Sequence, residues 1–418
     1  MNKVKSTFMF IKDNIITFIK WILCAIFIGL TVGTVATIFH FGLETVGGYI
    51  ERFPWFIFLL PFAGMCIAGL YKIFNMEEDR GTNSIFVSIR SNERIRFMMG
   101  PLVFLGSVAT HMFGGSAGRE GAALQIGGSL AYNLGLLFKM DDKEKKLITM
   151  CGMSAAFAAL FGTPITAAIF SIEVISVGVM YYAALVPCIV AGVVGAGFAK
   201  ACGAVPVTYK LLEIPDADVY SFIKVAILSV LTAVLGMIFC FLLENSRKYL
   251  TKYIRNSFVR AGVCGIVIVI LTLVVGNHDY NGAGMNVILR AIAGDVAPEA
   301  FFLKMIFTAV TLSGGFRGGE IVPVFFTGAT FGNTASKLIG LNTSFGAGIG
   351  MVSLFCAVTN CPITSLVLSI ELFGAQGFVF FAVSIAISYM LSGYSGLYAE
   401  QKIMYSKLRP EFIDKKVE

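Results

Sequence analysis

Charge is what this sequence has least of: only 14% of its 418 residues are Asp, Glu, Lys or Arg, against 57% hydrophobic. With a mean hydropathy of +0.82, that balance excludes an ordinary soluble globular protein and a solvated disordered one. Histidine is nearly absent, with His40, His111 and His278 scattered singly, and the nine cysteines lie apart without paired metal spacing. A metal site, a cofactor and a disulfide framework are therefore not expected, and the cysteines read as packing residues. Neither His-Glu-x-x-His nor Gly-x-Gly-Asp occurs, which leaves an intramembrane enzyme as a distant alternative. A nucleic-acid partner is not expected either, because no soluble domain is present to carry a basic face. No cleavable leader is evident, since the first apolar run is long and lacks a small-residue cleavage pattern.

What remains is an all-α polytopic membrane protein with the lipid bilayer as its first partner. The runs Trp21–Phe39, Trp55–Phe74, Tyr182–Ala199, Ile223–Leu243, Ala261–Val275 and Phe378–Leu391 approach the ~20 apolar residues that a straight span needs. Others, Pro101–Phe113, Ala122–Phe138 and Ile321–Thr330, are interrupted by glycine or proline and read as broken or half-spanning helices inside the protein. Lys3, Lys5, Lys12 and Lys20 at the front and Lys402, Lys407, Arg409, Lys415 and Lys416 at the back give much of the net charge of +7. Both termini therefore read as cytoplasmic, in a multi-pass protein of the cell membrane.

The chain divides into a basic amphipathic lead (1–20), a first membrane half (21–204), a proline-bearing linker (205–218), a second half (219–398) and a short tail (399–418). The halves are homologous. Gly152–Glu173 aligns without a gap on Gly350–Glu371 with ten identities in 22 positions, including Gly152/Gly350, Pro164/Pro362 and Glu173/Glu371. Upstream, Gly114, Gly115, Gly118 and Glu120 fall in the same order as Gly314, Gly315, Gly318 and Glu320. Duplicated halves with broken helices are the architecture of transporters whose ions bind near the midplane.

The most informative stretch is Gly114-Gly115-Ser116-Ala117-Gly118-Arg119-Glu120-Gly121, which sets an arginine and a glutamate between two apolar runs. Its glycines let the backbone turn tightly and aim several N–H groups at one point. A helix starting at about Glu120 would add its dipole there, which makes an anion site in which a carboxylate competes with the anion. A Walker-type phosphate loop is excluded by the missing Gly-Lys-Ser/Thr ending.

These residues resemble the CLC family of chloride channels and chloride/proton antiporters from about Leu23 to Tyr398. Gly118-Arg119-Glu120-Gly121 is similar to the family's G-K/R-E-G-P, with Ala122 at the proline. Gly319-Glu320-Ile321-Val322-Pro323 resembles G-x-F-x-P, Gly81-Thr82-Asn83-Ser84-Ile85 stands in the place of G-S-G-I-P, and Tyr398 is similar to the tyrosine facing the central anion. The resemblance implies a CLC-like inverted repeat in a homodimer with one pore per subunit. It also implies Glu120 as the gating and proton-coupling glutamate, and an anion path along Thr82, Asn83, Gly118, Arg119, Gly121, Gly319, Ile321, Val322 and Tyr398. The inner proton glutamate of the antiporters is replaced by Val174, the pore serine by Thr82, and an asparagine follows at Asn83. That set looks like the fluoride-exporting branch, so a fluoride/proton antiporter is expected. A chloride/proton antiporter and a passive chloride channel are the alternatives.

Structural roles stay open beside these. Thr82 and Asn83 could cap a helix, Arg119 could form a salt bridge, and Glu173 and Glu371 fit equivalent structural positions. Glu320 reads either as a pseudo-symmetric mate of Glu120 or as a carboxylate placed at a helix start.

Overall fold

The computed structural model describes residues 2–417. Met1, Glu418 and the side chains of residues 2–10 and 51, Lys3 and Lys5 of the lead among them, lie outside the described residues. The first half runs α1 (Asn2–Arg52), α2 (Leu60–Ile73), α3 (Thr82–Ser91), α4 (Met99–Met112), α5 (Glu120–Leu137), α6 (Asp142–Phe161), α7 (Pro164–Glu173), β1 (Ser176–Val177) and α8 (Leu185–Ala201). The second runs α9 (Val219–Tyr253), α10 (Ser257–Val275), α11 (Met285–Ile292), α12 (Ala300–Ser313), α13 (Ile321–Ile339), α14 (Thr343–Thr359), α15 (Pro362–Phe373) and α16 (Phe378–Leu391), then β2 (Lys402–Tyr405) and β3 (Phe412–Lys416).

Nothing in the first 53 residues breaks a helix, so the lead and the first apolar run are one helix of 51 residues that Pro54 ends. Among the described residues, five helices are long and apolar enough to cross a membrane, while α4, α7, α12, α14, α15 and α16 are shorter apolar helices. The α5 and α13 segments differ from the sequence expectation. They run unbroken for 18 and 19 residues, about 27 to 29 Å at 1.5 Å per residue. Their internal glycines are contact points and not breaks: a Cβ at Gly127 would strike the carbonyl of Gly152 on α6, and one at Gly328 the carbonyl of Gly350 on α14. The repeated Gly152 and Gly350 thus let the paired helices approach closely.

The halves meet through reciprocal contacts. Each of α7 and α15 carries in its last turn a glutamate that caps the start of the other, so the two helices are antiparallel. Glu173 Oε1 accepts from the N–H of Ile363, at 3.1 Å, and Oε2 from the N–H and hydroxyl of Thr364, at 2.8 and 2.5 Å. Glu371 accepts from the N–H groups of Ile165 and Thr166 at 3.1 and 2.8 Å. Carboxylates stabilise helix starts both by hydrogen bonding and through the dipole, and both glutamates fit that structural role. The preceding breaks match too, with Gly162 and Asn360 at equivalent places and both left-handed (φ 71° and 58°).

A small sheet stands beside the helices. β1 pairs in parallel with β2, and β2 antiparallel with β3. Gln401, fully buried, donates to the carbonyls of Val174 and Thr359 at 2.8 Å each, so the tail stitches one half to the other. The chain ends share a face: Lys20 pairs with Glu144 on the α5–α6 side, while nearby Lys146 donates to the carbonyl of Arg90, whose guanidinium holds Glu400 of the tail.

Glu173→Ala would leave the buried N–H and hydroxyl of Thr364 unpaired, at about 1–3 kcal/mol for each such group, and the half-buried N–H of Ile363 uncapped. Because Glu173 is more deeply buried than Glu371, its alanine variant is expected to lower the thermal unfolding midpoint in detergent more than Glu371→Ala does.

Candidate functional site

The loop Phe113–Arg119 reverses the chain between α4 and α5, and Gly114 makes the turn at φ 82°. Its counterpart precedes α13, with Gly315 at φ 96°. The two loops meet in an antiparallel bridge: Gly118 N–H donates to the Gly319 carbonyl at 2.6 Å, and Gly319 N–H returns the bond to Gly118 at 2.7 Å. Gly118, Arg119 and Glu120 therefore correspond to Gly319, Glu320 and Ile321. This shifts the upstream repeat by one residue from the sequence alignment. Glu320 stands where the first half has Arg119, so it is not the counterpart of Glu120.

The bridge brings the N-termini of α5 and α13 together. Their first N–H groups have no intrahelical acceptors, and both dipoles present positive ends. Glu120, the first residue of α5, is fully buried and places its carboxylate there. Oε2 accepts from Arg119 N–H and from Val322 N–H of α13, both at 3.1 Å, while Oε1 has no hydrogen-bond partner. A side chain of one half thus fills an amide seat of the other. Space for it depends on glycine: a Cβ at Gly118 would lie 2.5 Å from Glu120 Oε2 and 3.0 Å from Val322 N.

Gly121 and Thr82 are the predicted site residues packed next to this seat. Gly121 lies beside Gly319, and a Cβ there would be 3.4 Å from Thr82 Oγ1 and 3.5 Å from a Glu320 carboxylate oxygen. Thr82 opens α3 behind Gly81, whose φ is 63°, and neither Thr82 nor Asn83 makes a side-chain cap on that helix. The Thr82 hydroxyl reaches the Gly121 carbonyl only at 3.4 Å. Ser84 donates to Asp79 at 3.2 Å, and Asp79 pairs with Arg317 at 3.7 Å, which ties this loop to the one before α13. Asn83 is turned to the tail, its Oδ1 accepting from the N–H of Glu400 at 3.1 Å. Tyr398 is buried against Phe86 with its hydroxyl unpartnered, within electrostatic range of Glu120 and Glu320.

Arg119 does not pair with Glu120. Its Nη1 meets His40 Nδ1 at 3.2 Å, and its guanidinium lies 5.5 Å from the Phe161 ring centroid. Among the described residues no ion pair joins Arg119 to a carboxylate. His40 went unnoticed in the sequence except as one of three scattered histidines. Gln125 was missed as well: its Nε2 donates to Thr82 Oγ1 at 3.2 Å and to the Gly121 carbonyl at 3.0 Å. The signal for it was an amide, one of two with Asn133, within the apolar run 122–138. Gly114–Gly118 also spells Gly-x-Ser-x-Gly, but Ser116 shares its hydroxyl with Thr308 at 3.0 Å instead of with a base. Among the described residues no group of His, Cys, Asp or Glu side chains could hold a metal.

The profile described as "voltage gated chloride channel" matches residues 63–393. The chain belongs to this family, the CLC family. A chloride/fluoride channel protein of Pseudomonas syringae pv. tomato is 34% identical over 93% of this chain and 87% of its own length. In structure, the chain superimposes with a TM-score of 0.86 on a CLC-type fluoride/proton antiporter, at 29% identity over 90% of this chain and 95% of the other. A slow cyanobacterial Cl⁻/H⁺ antiporter shares the fold, with a TM-score of 0.77 at 18% identity over 89% of this chain and 94% of the other. The chain is thus a multi-pass membrane protein of the CLC fold.

In this CLC protein Gly118→Ala is expected to set a methyl 3.0 Å from Val322 N, where it crowds carboxylate and arriving anion alike, and to cut anion flux about tenfold, as for one charge-assisted hydrogen bond lost to the anion. Flux from proteoliposomes, beside a size-exclusion profile showing folded protein, checks it.

Proposed function

We propose that the protein is a fluoride/proton antiporter that exports fluoride, with Glu120 alternating between the anion path and the proton. The observation that carries this reading is the Glu120 carboxylate bound to N–H groups of Arg119 and Val322 from the two halves. A carboxylate there stands in for an anion. Protonation cancels its charge, weakens its hold on the amides and lets it leave, so an arriving anion and a proton exchange places. Backbone amides around Gly118, Gly121, Gly319, Ile321 and Val322 would then hold the anion, with Arg119 keeping the site positive.

Fluoride is small, holds its water strongly and accepts hydrogen bonds better than chloride, so its site needs compact donors. Thr82 offers a hydroxyl, Asn83 an amide and Tyr398 an unpartnered buried phenol. Unreplaced hydration bonds would cost several kcal/mol, of order 2–7 for a buried polar group. The likeness to the Pseudomonas chloride/fluoride channel protein and to the CLC-type fluoride/proton antiporter supports fluoride as substrate. Hydrofluoric acid crosses membranes neutral and dissociates inside, which supplies the load, and an inward proton gradient supplies the drive. Val174 is buried and carries no proton, so the inner part of the route falls to Glu120 itself. The activity is transport and not enzymatic conversion.

The exposed apolar side chains of Ile165, Ile363 and Ile370 on α7 and α15 fit contact with a second copy, and the protein is read as a homodimer. Its basic ends, on one face, fit the cytoplasmic side of the cell membrane. A passive channel is the second reading, favoured by the likeness to the Pseudomonas chloride/fluoride channel protein and by Val174.

Glu120→Gln is expected to abolish fluoride-driven proton movement in proteoliposomes; unchanged proton movement refutes Glu120 as the coupling group. With opposed fluoride and proton gradients, an antiporter's reversal potential shifts with both ions, whereas a channel's follows the anion alone. Asn83→Ala is expected to lower the fluoride-to-chloride efflux ratio roughly tenfold, as for one lost hydrogen bond of about 1.4 kcal/mol.

A further inference from the structure

Asn83 has an acceptor end and a donor end, and only the donor end suits an anion. The N–H of Glu400, at 3.1 Å, can be met only by the amide oxygen. That bond leaves the NH₂ end without a protein acceptor among the described residues. The same helix face grips Glu400 a second time. Arg90, two turns along α3 from Asn83, donates to the Glu400 carbonyl and, at 3.2 Å, to its carboxylate. Lys416 of β3 holds the carboxylate at 2.7 Å, and Arg80 lies 3.6 Å away. The main-chain N–H, main-chain carbonyl and side chain of one tail residue are all fixed, and the amide of Asn83 is fixed with them.

We propose that Glu400 is a positioning residue for anion selectivity: clamped by Arg90 and Lys416, its main-chain N–H holds the Asn83 amide with its donor end free for the anion. This rests on the reading of Asn83 as an anion-site residue. The clamp works without touching the anion. Lys416 beside Glu400, with Arg90 adding, keeps this carboxyl below its ordinary pKa against the opposing effect of burial. The clamp therefore stays charged at neutral and mildly acid pH and fails only as pH falls through that depressed value. A simple staple for the tail would use the same charges but would not govern the choice between ions.

The test measures potassium fluoride and potassium chloride efflux from proteoliposomes holding the full chain. Glu400→Gln is expected to lower the fluoride-to-chloride ratio about three- to tenfold, up to what one oriented hydrogen bond supplies. It should have no further effect in an Asn83→Ala background. Arg90→Lys, which keeps the charge and removes the two-pronged donor, should move the ratio the same way, and it serves alone if Glu400→Gln does not fold. Asp414→Asn, which loosens the Lys402 pair elsewhere in the same sheet, should leave the ratio alone. An unchanged ratio in both Glu400→Gln and Arg90→Lys, while Asn83→Ala lowers it, overturns the clamp and spares the reading of Asn83. An equal fall of the ratio in the Asn83→Ala background also overturns it. If Asn83→Ala itself leaves the ratio unchanged, the reading of Asn83 fails and the clamp falls with it.

Discussion

Two helices begin at the same place in the interior of this protein, and neither can satisfy its first N–H groups from within. In water the solvent would meet them. Deep in a membrane protein an unpaired N–H is costly, and two facing dipole ends make the place electropositive. Something negative has to sit there. Gly118 and Gly319 pair with one another, which draws the helix starts close, and Glu120 supplies the charge. The seat is therefore a consequence of the fold, and in the proposed function the carboxylate is the part of it that comes and goes.

The same demand recurs where α7 and α15 meet, with a different outcome. There Glu173 and Glu371 each cap the other half's helix with both carboxylate oxygens engaged. These caps are fully hydrogen-bonded and hold the halves together. Glu120 keeps one oxygen without a partner, as its proposed release would favour. A carboxylate at a helix start thus serves structure or function according to how completely it is satisfied. The symmetry is broken at the next position: Arg119 and Glu320 occupy equivalent places with opposite charge, so the two sides of the seat are electrically unlike.

Much of this was legible in the sequence. The apolar runs, the duplication, the helix start at Glu120 and the breaks before Pro164 and Pro362 follow from local rules of composition, glycine and proline. The internal glycines of α5 and α13 misled, because a glycine that ends a helix and one that lets a neighbour approach look alike until the neighbour is known. The one-residue shift of the loop repeat was hidden for a similar reason, since adjacent glycines align equally well either way and only their backbone angles and the Gly118–Gly319 bridge decide. His40, Gln125 and Glu400 act across 43 to 317 residues of chain, and no local pattern announces such contacts. The tail sheet was likewise unreadable, because β2 gains its partner from Ser176–Val177 in the other half.

If Glu120 holds a seat that the anion must take, proton and anion binding are linked. Fluoride titration calorimetry of the detergent-solubilised protein across mildly acid to mildly alkaline pH tests this directly, with Glu120→Gln beside the wild type. The account predicts that wild-type affinity rises as pH falls, because the protonated carboxylate gives way, and that the glutamine variant binds fluoride with little dependence on pH. Wild-type binding indifferent to pH, or a glutamine variant with the same pH dependence as the wild type, would contradict it.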